Sequence, residues 1–176
     1  MEDIEGETER FLQAVSVAME QVRQLYEKAT TDVGEEEAQI FDIHLMMLED
    51  EDFLDAVKDA IAGGVNAEYA VSVAATDLAE GFAAMDDDYM RGRAADVKDI
   101  SARVIRVLAG KEDGGVLSDE PVIVAADDLV PSETLQFDKT RILSLVTMYG
   151  SANSHTAILA RMMNIPAVIG LGDGLS

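Results

Sequence analysis

Residues 149–170 of this chain read Y-G-S-A-N-S-H-T-A-I-L-A-R-M-M-N-I-P-A-V-I-G, and this stretch carries the most informative pattern of the sequence. Its first part is a small, hydroxyl-rich turn that delivers His155 to the start of an apolar helix. Ile165-Pro166 ends that helix, because proline pushes the residue before it out of the α region. Residues 167–169 then predict a short buried strand, so the stretch indicates a turn, a helix and a strand in succession.

The turn before His155 has the physical properties of an anion site. Gly150 lets the backbone approach a ligand closely, and the first amides of the helix, at residues 155–158, have no acceptor within it. Free amides and the positive end of the helix dipole attract phosphate. The same field favours a neutral imidazole, which can act as a nucleophile once a hydrogen bond at its other nitrogen fixes the tautomer. The alternative is an ordinary hydrogen-bonded histidine that caps a core helix.

Composition limits the classes of function open to the chain. Its 176 residues suffice for one domain or two small ones, and 48% of them are hydrophobic, which allows a sizeable core. No apolar run approaches the ~18 residues that span a bilayer, and the absence of cysteine is compatible with a cytoplasmic protein. The net charge of −22 argues against nucleic acid or anionic membrane and for a basic partner, although it can also reflect solubility alone.

The first part of the chain, to about residue 110, has the periodicity of a helical bundle. Residues 5–30 carry apolar side chains at alternating spacings of four and three, the seam of an amphipathic helix. Residues 35–61 continue with apolar positions interrupted by an acidic cluster at 49–52, which we expect to bend the helix or to divide it in two. Two more helices follow, the first capped by Asn66, and the short turns between them predict antiparallel neighbours.

The pattern changes after a glycine-rich break at residues 110–115. Beyond it, residues 122–126 and 142–146 predict buried strands and Pro131 opens a short helix, so strand and helix alternate as in an α/β layer. We therefore predict an α+β protein of two domains. An antiparallel four-helix-type bundle occupies residues 1–112, and a partial α/β domain that carries the histidine occupies residues 116–176.

The stretch around His155 resembles the phosphohistidine signature shared by enzyme I of the bacterial sugar phosphotransferase system and by enzymes that make or use phosphoenolpyruvate. Ser-His, I-L-A-R and I-P-A-V-I-G all match that signature. The chain departs from it at Ser151, where the family usually has a second glycine, and at Ala152, which is often basic in the family. The resemblance implies a fold with a phosphohistidine domain and a phosphoryl group carried on His155.

The helical segments are similar to enzyme I in particular. The likeness lies in residues 34–50 and 93–100, and the whole resemblance extends from about residue 10 to Gly172. In enzyme I, a phosphoenolpyruvate-protein phosphotransferase, a helical domain docks the histidine-containing phosphocarrier protein HPr. The resemblance therefore implies phosphoryl transfer from phosphoenolpyruvate through His155 to HPr in sugar uptake.

The resemblance also implies a set of functional residues. The helical domain would dock the carrier through acids that steer a basic partner and apolar side chains that contact it, namely Glu35, Glu36, Met46, Met47, Asp50, Asp52 and Phe53. The Thr134 hydroxyl would hold the His155 ring at Nδ1 so that Nε2 receives the phosphate. The phosphate environment would comprise Gly150, Ser154, Thr156 and Arg161. From the residues alone, the acidic side chains would form a solvated face, Thr134 would be a capping residue and His44 would be a structural histidine.

Enzyme I also has further strands and a large barrel that binds phosphoenolpyruvate and Mg²⁺ and mediates dimerisation. We therefore expect a fragment that has no cofactor or metal of its own and cannot use phosphoenolpyruvate unaided. Open sheet edges would leave residues 116–176 held by a second copy, or less protected than the bundle. Two alternatives stay open. One is an enzyme I-like module of a dihydroxyacetone kinase phosphotransfer subunit, and the other is a catalytically silent acidic module that binds a basic partner.

Overall fold

The computed structural model describes residues 3–111, 120–152 and 154–172, which contain seven helices and three short strands. In chain order these elements are α1 (Ile4–Asp32), α2 (Glu35–Leu48), α3 (Glu51–Ala62), α4 (Ala67–Ala83), α5 (Asp88–Leu108), β1 (Val122–Ala126), α6 (Pro131–Gln136), β2 (Ile142–Thr147), α7 (His155–Met162) and β3 (Ala167–Val168). This mostly helical architecture with a small parallel sheet confirms the predicted fold class. The predicted domain bounds at 112 and 116 lie outside the described residues. None of the helices in the described ranges combines the length and hydropathy needed to cross a membrane.

Capping side chains start the helices where the sequence predicts breaks. The acidic cluster divides the predicted second helix into α2 and α3, and the Asp50 carboxylate caps α3 by accepting a hydrogen bond from the Phe53 amide at 3.1 Å. Asn66 caps α4 in the same way, with its side-chain oxygen 3.1 Å from the Tyr69 amide nitrogen. Such a cap satisfies an amide that has no intrahelical acceptor and stabilises the helix start by about 1 kcal/mol. The helical segment therefore contains the five helices α1 to α5, as expected if the acidic cluster divides the second helix in two.

The chain divides into two compact units, and the first comprises Met1–Gln24 and Ile40–Asp113. Within it α4 packs against both α3 and α5, and the apolar seam predicted on α1 is buried. Large apolar side chains that are fully buried in this unit include Phe11, Val22, Phe41, Leu48, Phe53, Val57, Ile61 and Ile100. Removal of apolar surface from water, at about 25 cal/mol per Å², is the main force that holds such helices together.

The second unit comprises Leu25–Gln39 and Gly114–Ser176, so the end of α1 and the start of α2 belong to it. Within this unit the Lys28 ammonium, on α1, donates a hydrogen bond to the backbone carbonyl of Leu135, on α6. This division differs from the predicted contiguous helical domain 1–112. The sequence could not indicate the difference, because the apolar seam of α1 continues across the division without a change of period.

The three strands form a parallel sheet in the order β1-β2-β3, with Val124 beside Leu145 and Leu145 beside Ala167. The sequence predicts that β1 and β3 are buried, and for these two strands the prediction is wrong. The side chains of Ile123 and Val168 are 62% and 51% exposed, whereas Leu145 is fully buried. The reason is position, since β1 and β3 are the outer strands of the described sheet and alternate side chains of β1 lie on an exposed face.

Candidate functional site

His155 is the first residue of α7, and its side chain is exposed. Ser154, the residue before it, caps the helix, because its hydroxyl oxygen accepts a hydrogen bond from the Ala157 amide at 3.3 Å. This cap gives one amide of the first turn a hydrogen-bond acceptor. The amides of His155 and Thr156 have no acceptor within the helix, because no helical carbonyl lies four residues before them. An accessible imidazole thus lies at the positive end of a helix, where an anion is stabilised. Ser154 is thus the N-cap of α7, and its place in the phosphate environment stays a prediction.

Gly150 is required by the turn that leads to His155. Its backbone has a φ of +106°, a conformation that residues other than glycine rarely adopt. A β-carbon there would lie 2.9 Å from Cγ2 of Ile169, and one at Gly170 would lie 2.8 Å from the Gly150 carbonyl oxygen. The turn is therefore packed closely against the segment that follows β3, and Gly150 shapes the approach to His155 through its backbone.

Thr156, the residue after His155, is buried, with 3% of its surface exposed. Its hydroxyl donates a hydrogen bond to the backbone carbonyl of Leu129, in the loop between β1 and α6. The sequence predicts Thr156 in the phosphate environment. The side chain is therefore turned into the protein with its hydroxyl proton already donated, and a place for Thr156 in the phosphate environment stays a prediction.

Arg161 is bound to the turn that precedes its own helix. Its Nη2 atom donates to the Ala152 carbonyl at 2.7 Å, and its Nε atom donates to the Ala157 carbonyl at 3.4 Å. Arg161 lines a cleft of about 320 Å³ together with Ala152, Ala157, Ile165, Ala167 and Ile169. Arg161 therefore supplies a positive charge to this cleft, and its contact with phosphate stays a prediction.

Thr134, predicted to hold the His155 ring, is a fully buried residue of α6. Its hydroxyl donates to the Val130 carbonyl at 3.1 Å, as helical threonines often do. Among the described residues, no hydrogen bond joins Thr134 to His155. Since the donated proton is already used, the Thr134 oxygen is left with acceptor capacity only, and a bond to the histidine would have to be donated by the ring.

The predicted carrier-binding residues are mostly exposed, as a docking surface requires. On α2, Met46 is 70% exposed, and the half-buried Met47 packs against a small core cluster of Ala75, Ala79 and Val97. The exposed acidic members are Glu35, Glu36, Asp50 and Asp52. The two glutamates belong to the second unit and the other predicted residues to the first.

Phe53 differs from the other predicted contact residues, because its ring is only 2% exposed and lies in the core of the first unit. We therefore correct its role from partner contact to core packing. Three side chains that the sequence analysis did not assign to the surface pack against the same cluster as Met47. They are Leu78 and Phe82 of α4 and Ala94 of α5. The spacing of four between Leu78 and Phe82, which places them on one face of the helix, is the signal that could have identified them.

His44, predicted to be structural, is almost fully buried on α2. Its Nε2 atom lies 3.3 Å from Oδ1 of Asp96, and its ring meets the edge of Phe41 with the centroids 5.5 Å apart. Arg93 donates to the other Asp96 oxygen at 2.8 Å and stacks over the ring of Tyr89. These contacts make His44 part of an internal polar network of the first unit.

No group of three or more His, Asp or Glu side chains within the described ranges is placed to hold a metal ion. The hydrogen-bond donors at the start of α7 are its first backbone amides, and the Arg161 guanidinium lies against the turn that precedes the helix. Such groups bind anions, because they present hydrogen-bond donors. The chemistry that the arrangement supports is therefore the binding of an anion beside an accessible imidazole.

Two family models match the chain in succession. The model described as PEP-utilising enzyme, N-terminal, matches residues 1–93, and the model described as PEP-utilising enzyme, mobile domain, matches residues 118–176. The second match contains the whole sheet together with α6 and α7, and so includes His155.

Curated proteins similar to this chain include the phosphoenolpyruvate-protein phosphotransferases of Listeria monocytogenes and Bacillus subtilis, 42% and 38% identical over 171 residues. Both matches cover 96% of this chain and 30% of the relative, so the chain spans less than a third of the length of these relatives. Among solved structures, an NMR solution structure of Enzyme I (nEIt) has a TM-score of 0.79 and 36% identity, over 99% of this chain and 71% of that chain. The N-terminal domain of Enzyme 1 - Nitrogen has a TM-score of 0.73 and 29% identity, over 97% and 70%.

Proposed function

The chain belongs to the family of PEP-utilising enzymes, and from that premise we propose that it carries a phosphoryl group on His155 and exchanges it with a phosphocarrier protein. In this proposal it acts as the phosphohistidine and carrier-binding part of a phosphoenolpyruvate-protein phosphotransferase, with HPr as the carrier. The observation that carries the proposal is the exposed His155 at the first position of α7, inside the mobile-domain match. The lack of cysteine is compatible with the cytoplasm, where the proposal places this activity.

In the proposed step, a neutral ring nitrogen of His155 attacks the phosphorus atom held by the histidine of the carrier. An N–P bond forms at His155 as the N–P bond of the carrier breaks, and the electron pair of the broken bond returns to the carrier ring. The exposed ring of His155 admits the donor, and the first amides of α7 stabilise the charge of the transferred group. The same step in reverse loads the carrier.

Phosphate labelling tests this proposal directly. After incubation with phosphorylated HPr, mass spectrometry should find one phosphate on His155, and the label should be lost in acid and stable in base. His155→Ala should abolish it, and HPr that lacks its own phosphorylated histidine serves as the control donor. Undiminished labelling of His155→Ala would contradict the proposal. A wild-type chain that binds HPr but gains no phosphate would instead be the catalytically silent acidic module.

We propose that HPr docks on the exposed part of α2 and the adjoining face of α4. Met46 is exposed there, and Met47, Leu78 and Phe82 are partly buried around one apolar cluster, so they offer adaptable apolar contact. Asp52 adds an exposed carboxylate to the same unit, and the net charge of −22 favours a basic partner throughout. Glu35 and Glu36 of the second unit are proposed to contribute to steering by charge alone.

Charge reversal should slow HPr association. We expect Glu35→Lys with Glu36→Lys, and separately Asp52→Lys, to reduce the association rate by about tenfold at low salt and to flatten its salt dependence. Glu9→Lys reverses an equally exposed carboxylate outside the proposed surface and is the matched control. Stopped-flow fluorescence measures the rates. Asp52→Lys and Glu9→Lys change the net charge equally, so equal association rates for these two variants would show that net charge, and no particular surface, steers the carrier.

Asp50 needs a different design, because its carboxylate also caps α3. Asp50→Asn removes the charge and keeps a good N-cap, whereas Asp50→Ala removes both. If Asp50 contributes to steering, the asparagine variant slows association without loss of helix stability. An asparagine variant that binds like the wild type would assign Asp50 to capping alone.

The homodimer expected from the sequence stays a proposal. The exposed apolar side chains of Ile123, Leu143 and Val168 support it, and the net charge of −22 opposes it. Sedimentation velocity at low and high salt measures the oligomeric state and so shows whether apolar contact outweighs charge repulsion. A monomer at both salt concentrations would exclude the dimer.

A further inference from the structure

One dipeptide in the loop between β1 and α6 receives hydrogen bonds from the start of both nearby helices. The Val130 carbonyl accepts from the amide and from the hydroxyl of Thr134, each at 3.1 Å, and so anchors the first turn of α6. The neighbouring Leu129 carbonyl accepts from the hydroxyl of Thr156, in the first turn of α7. The helix that begins with His155 is thereby joined to the helix that carries Thr134, although no hydrogen bond links those two residues among the described ones.

The bond made by Thr156 is unlike those of the other helical threonines in the described part of the chain. Those threonines donate to the carbonyl four residues earlier in their own helix or at its cap, at positions 8, 30, 31, 76 and 134. Thr156 instead donates to a carbonyl 27 residues away. Because threonine is restricted at χ1, a tertiary hydrogen bond from this side chain fixes the backbone that carries it. That backbone position is adjacent to His155.

We infer that Thr156 is a positioning residue for phosphoryl transfer at His155, an inference that rests on the proposed function. Its hydroxyl holds the first turn of α7 against the Leu129 carbonyl and so fixes where the His155 ring lies relative to α6. It acts through the backbone and does not touch phosphate, because its side chain is buried. Displacement of a reacting group by about 1 Å costs roughly 100-fold in rate, so one positioning bond has a measurable effect on transfer.

Three substitutions separate positioning from packing. Thr156→Val keeps the shape and removes the hydroxyl, Thr156→Ser keeps the hydroxyl, and Thr76→Val removes a helical threonine hydroxyl in the first unit as the matched control. We expect Thr156→Val to slow single-turnover transfer from phosphorylated HPr by about tenfold or more. Thr156→Ser and Thr76→Val should transfer at nearly the wild-type rate.

A second readout is independent of phosphate. The chain has only two histidines, so long-range ¹H–¹⁵N spectra contain signals from just two imidazole rings. Thr156→Val should change the ring signals of His155, because the ring moves relative to α6 and the helix amides. The signals of His44, buried beside Asp96 in the other unit, should stay unchanged and serve as the internal control.

The outcomes distinguish this inference from the function on which it rests. If the wild-type chain gains no phosphate, the proposed function is wrong. The His155 ring signals of Thr156→Val still show in that case whether Thr156 positions the ring. Wild-type transfer and unchanged ring signals in Thr156→Val overturn the positioning role. If Thr156→Val loses amide protection at Leu135 and Leu145, Thr156→Ala is compared with Thr156→Ser in both readouts. The inference is then overturned if Thr156→Ala transfers phosphate at the same rate as Thr156→Ser and shows the same His155 ring signals.

Discussion

The two units bury different kinds of polar side chain. In the described residues of the first unit these are His44, Asp96, Asp99, Ser101 and Arg103, four of which carry a charge or can acquire one. In those of the second unit they are Ser132, Thr134, Thr147 and Thr156, all of them hydroxyls. The first unit therefore holds ionisable groups inside a helical core, while the second holds uncharged donors inside a layer of short strands and helices.

The kind of buried polar side chain corresponds to the contact that it makes in each unit. In the first unit, Asp96 of α5 contacts His44 of α2 across 52 residues of sequence, and a buried charge must be paired in this way to be tolerated. In the second unit, the hydroxyls of Thr147 and Thr156 donate to the loop carbonyls of Tyr149 and Leu129. Neutral bonds of this kind fix loops around His155 without placing a buried charge beside a group that is proposed to carry phosphate.

Removal of one group from each unit should give effects of different size. Asp96→Ala leaves His44 and Arg93 without their shared carboxylate, and breaking such a buried pair typically costs about 3 kcal/mol or more. Thr147→Val leaves only the Tyr149 carbonyl without its donor, at a cost of about 1–2 kcal/mol. Urea unfolding of the whole chain measures both, and amide exchange assigns each loss to its unit. A threonine variant as unstable as the aspartate variant would break the comparison.

Two glycines, one in each unit, test how closely the second unit is packed at the candidate site. Gly64 has a φ of +96° with nothing near its would-be β-carbon, whereas Gly150 has a φ of +106° and Ile169 within 2.9 Å. Alanine at Gly64 should therefore incur backbone strain alone, about 1 kcal/mol. Alanine at Gly150 should cost about 2–3 kcal/mol, because displacement of Ile169 adds to that strain.

The same unfolding measurements decide between these expectations. Gly150→Ala should also slow transfer from phosphorylated HPr, since the turn before His155 would have to move. Gly64→Ala is the control and should transfer normally. Equal loss of stability in the two variants would show that the turn at Gly150 yields to a side chain without cost.

Much of the fold was predictable because it depends on local patterns. The acidic cluster breaks a helix since Asp50 can cap a new one, and Asn66 and the start of α7 follow the same capping rule. The end of α7 was less predictable. The sequence predicts an end at Ile165, and the helix ends at Met162 because Asn164 adopts a φ of +58° and turns the chain earlier. Asparagine is one of the few residues that tolerate this conformation.

What the sequence could not provide are contacts between distant residues. The seam of α1 has one period along its length, yet its last turns belong to the second unit. Phe53 follows the exposed acidic cluster and is nevertheless buried, since the side of α3 on which it lies faces the core. Thr156 belongs to the recognised stretch, but only the fold brings its hydroxyl to Leu129. Position in a motif therefore predicts which residues lie near His155 along the chain, but not which contacts their side chains make.

The smallest expected effect concerns a charge cluster of the first unit in which the pKa values of two glutamates are lowered. Arg10 donates to both oxygens of Glu68, at 2.8 and 2.7 Å, and to Glu7 at 3.1 and 3.0 Å. These hydrogen bonds from Arg10 are the largest cause that lowers the pKa of each glutamate, and for Glu7 the Ala67 amide lowers the pKa further. A lowered pKa in the folded state contributes stability above the unfolded value, near pH ~4.3, and that contribution is lost as the pH falls through the folded values.

Substitution of the arginine should remove this dependence. Because Arg10 is partly exposed, solvent screening limits the cost of Arg10→Leu to about 1 kcal/mol at pH 7. The difference from the wild type should shrink as the pH falls below ~4.3 and through the lowered pKa values of the two glutamates. Arg23→Leu breaks the more exposed pair with Glu20, 3.6 Å apart, and should cost almost nothing at either pH. Urea unfolding across this pH range measures the two variants side by side. If the free energies of unfolding of Arg10→Leu and of the wild type change in parallel with pH, the cluster adds no pH dependence. The polar contribution to the stability of the first unit would then come from its buried network alone.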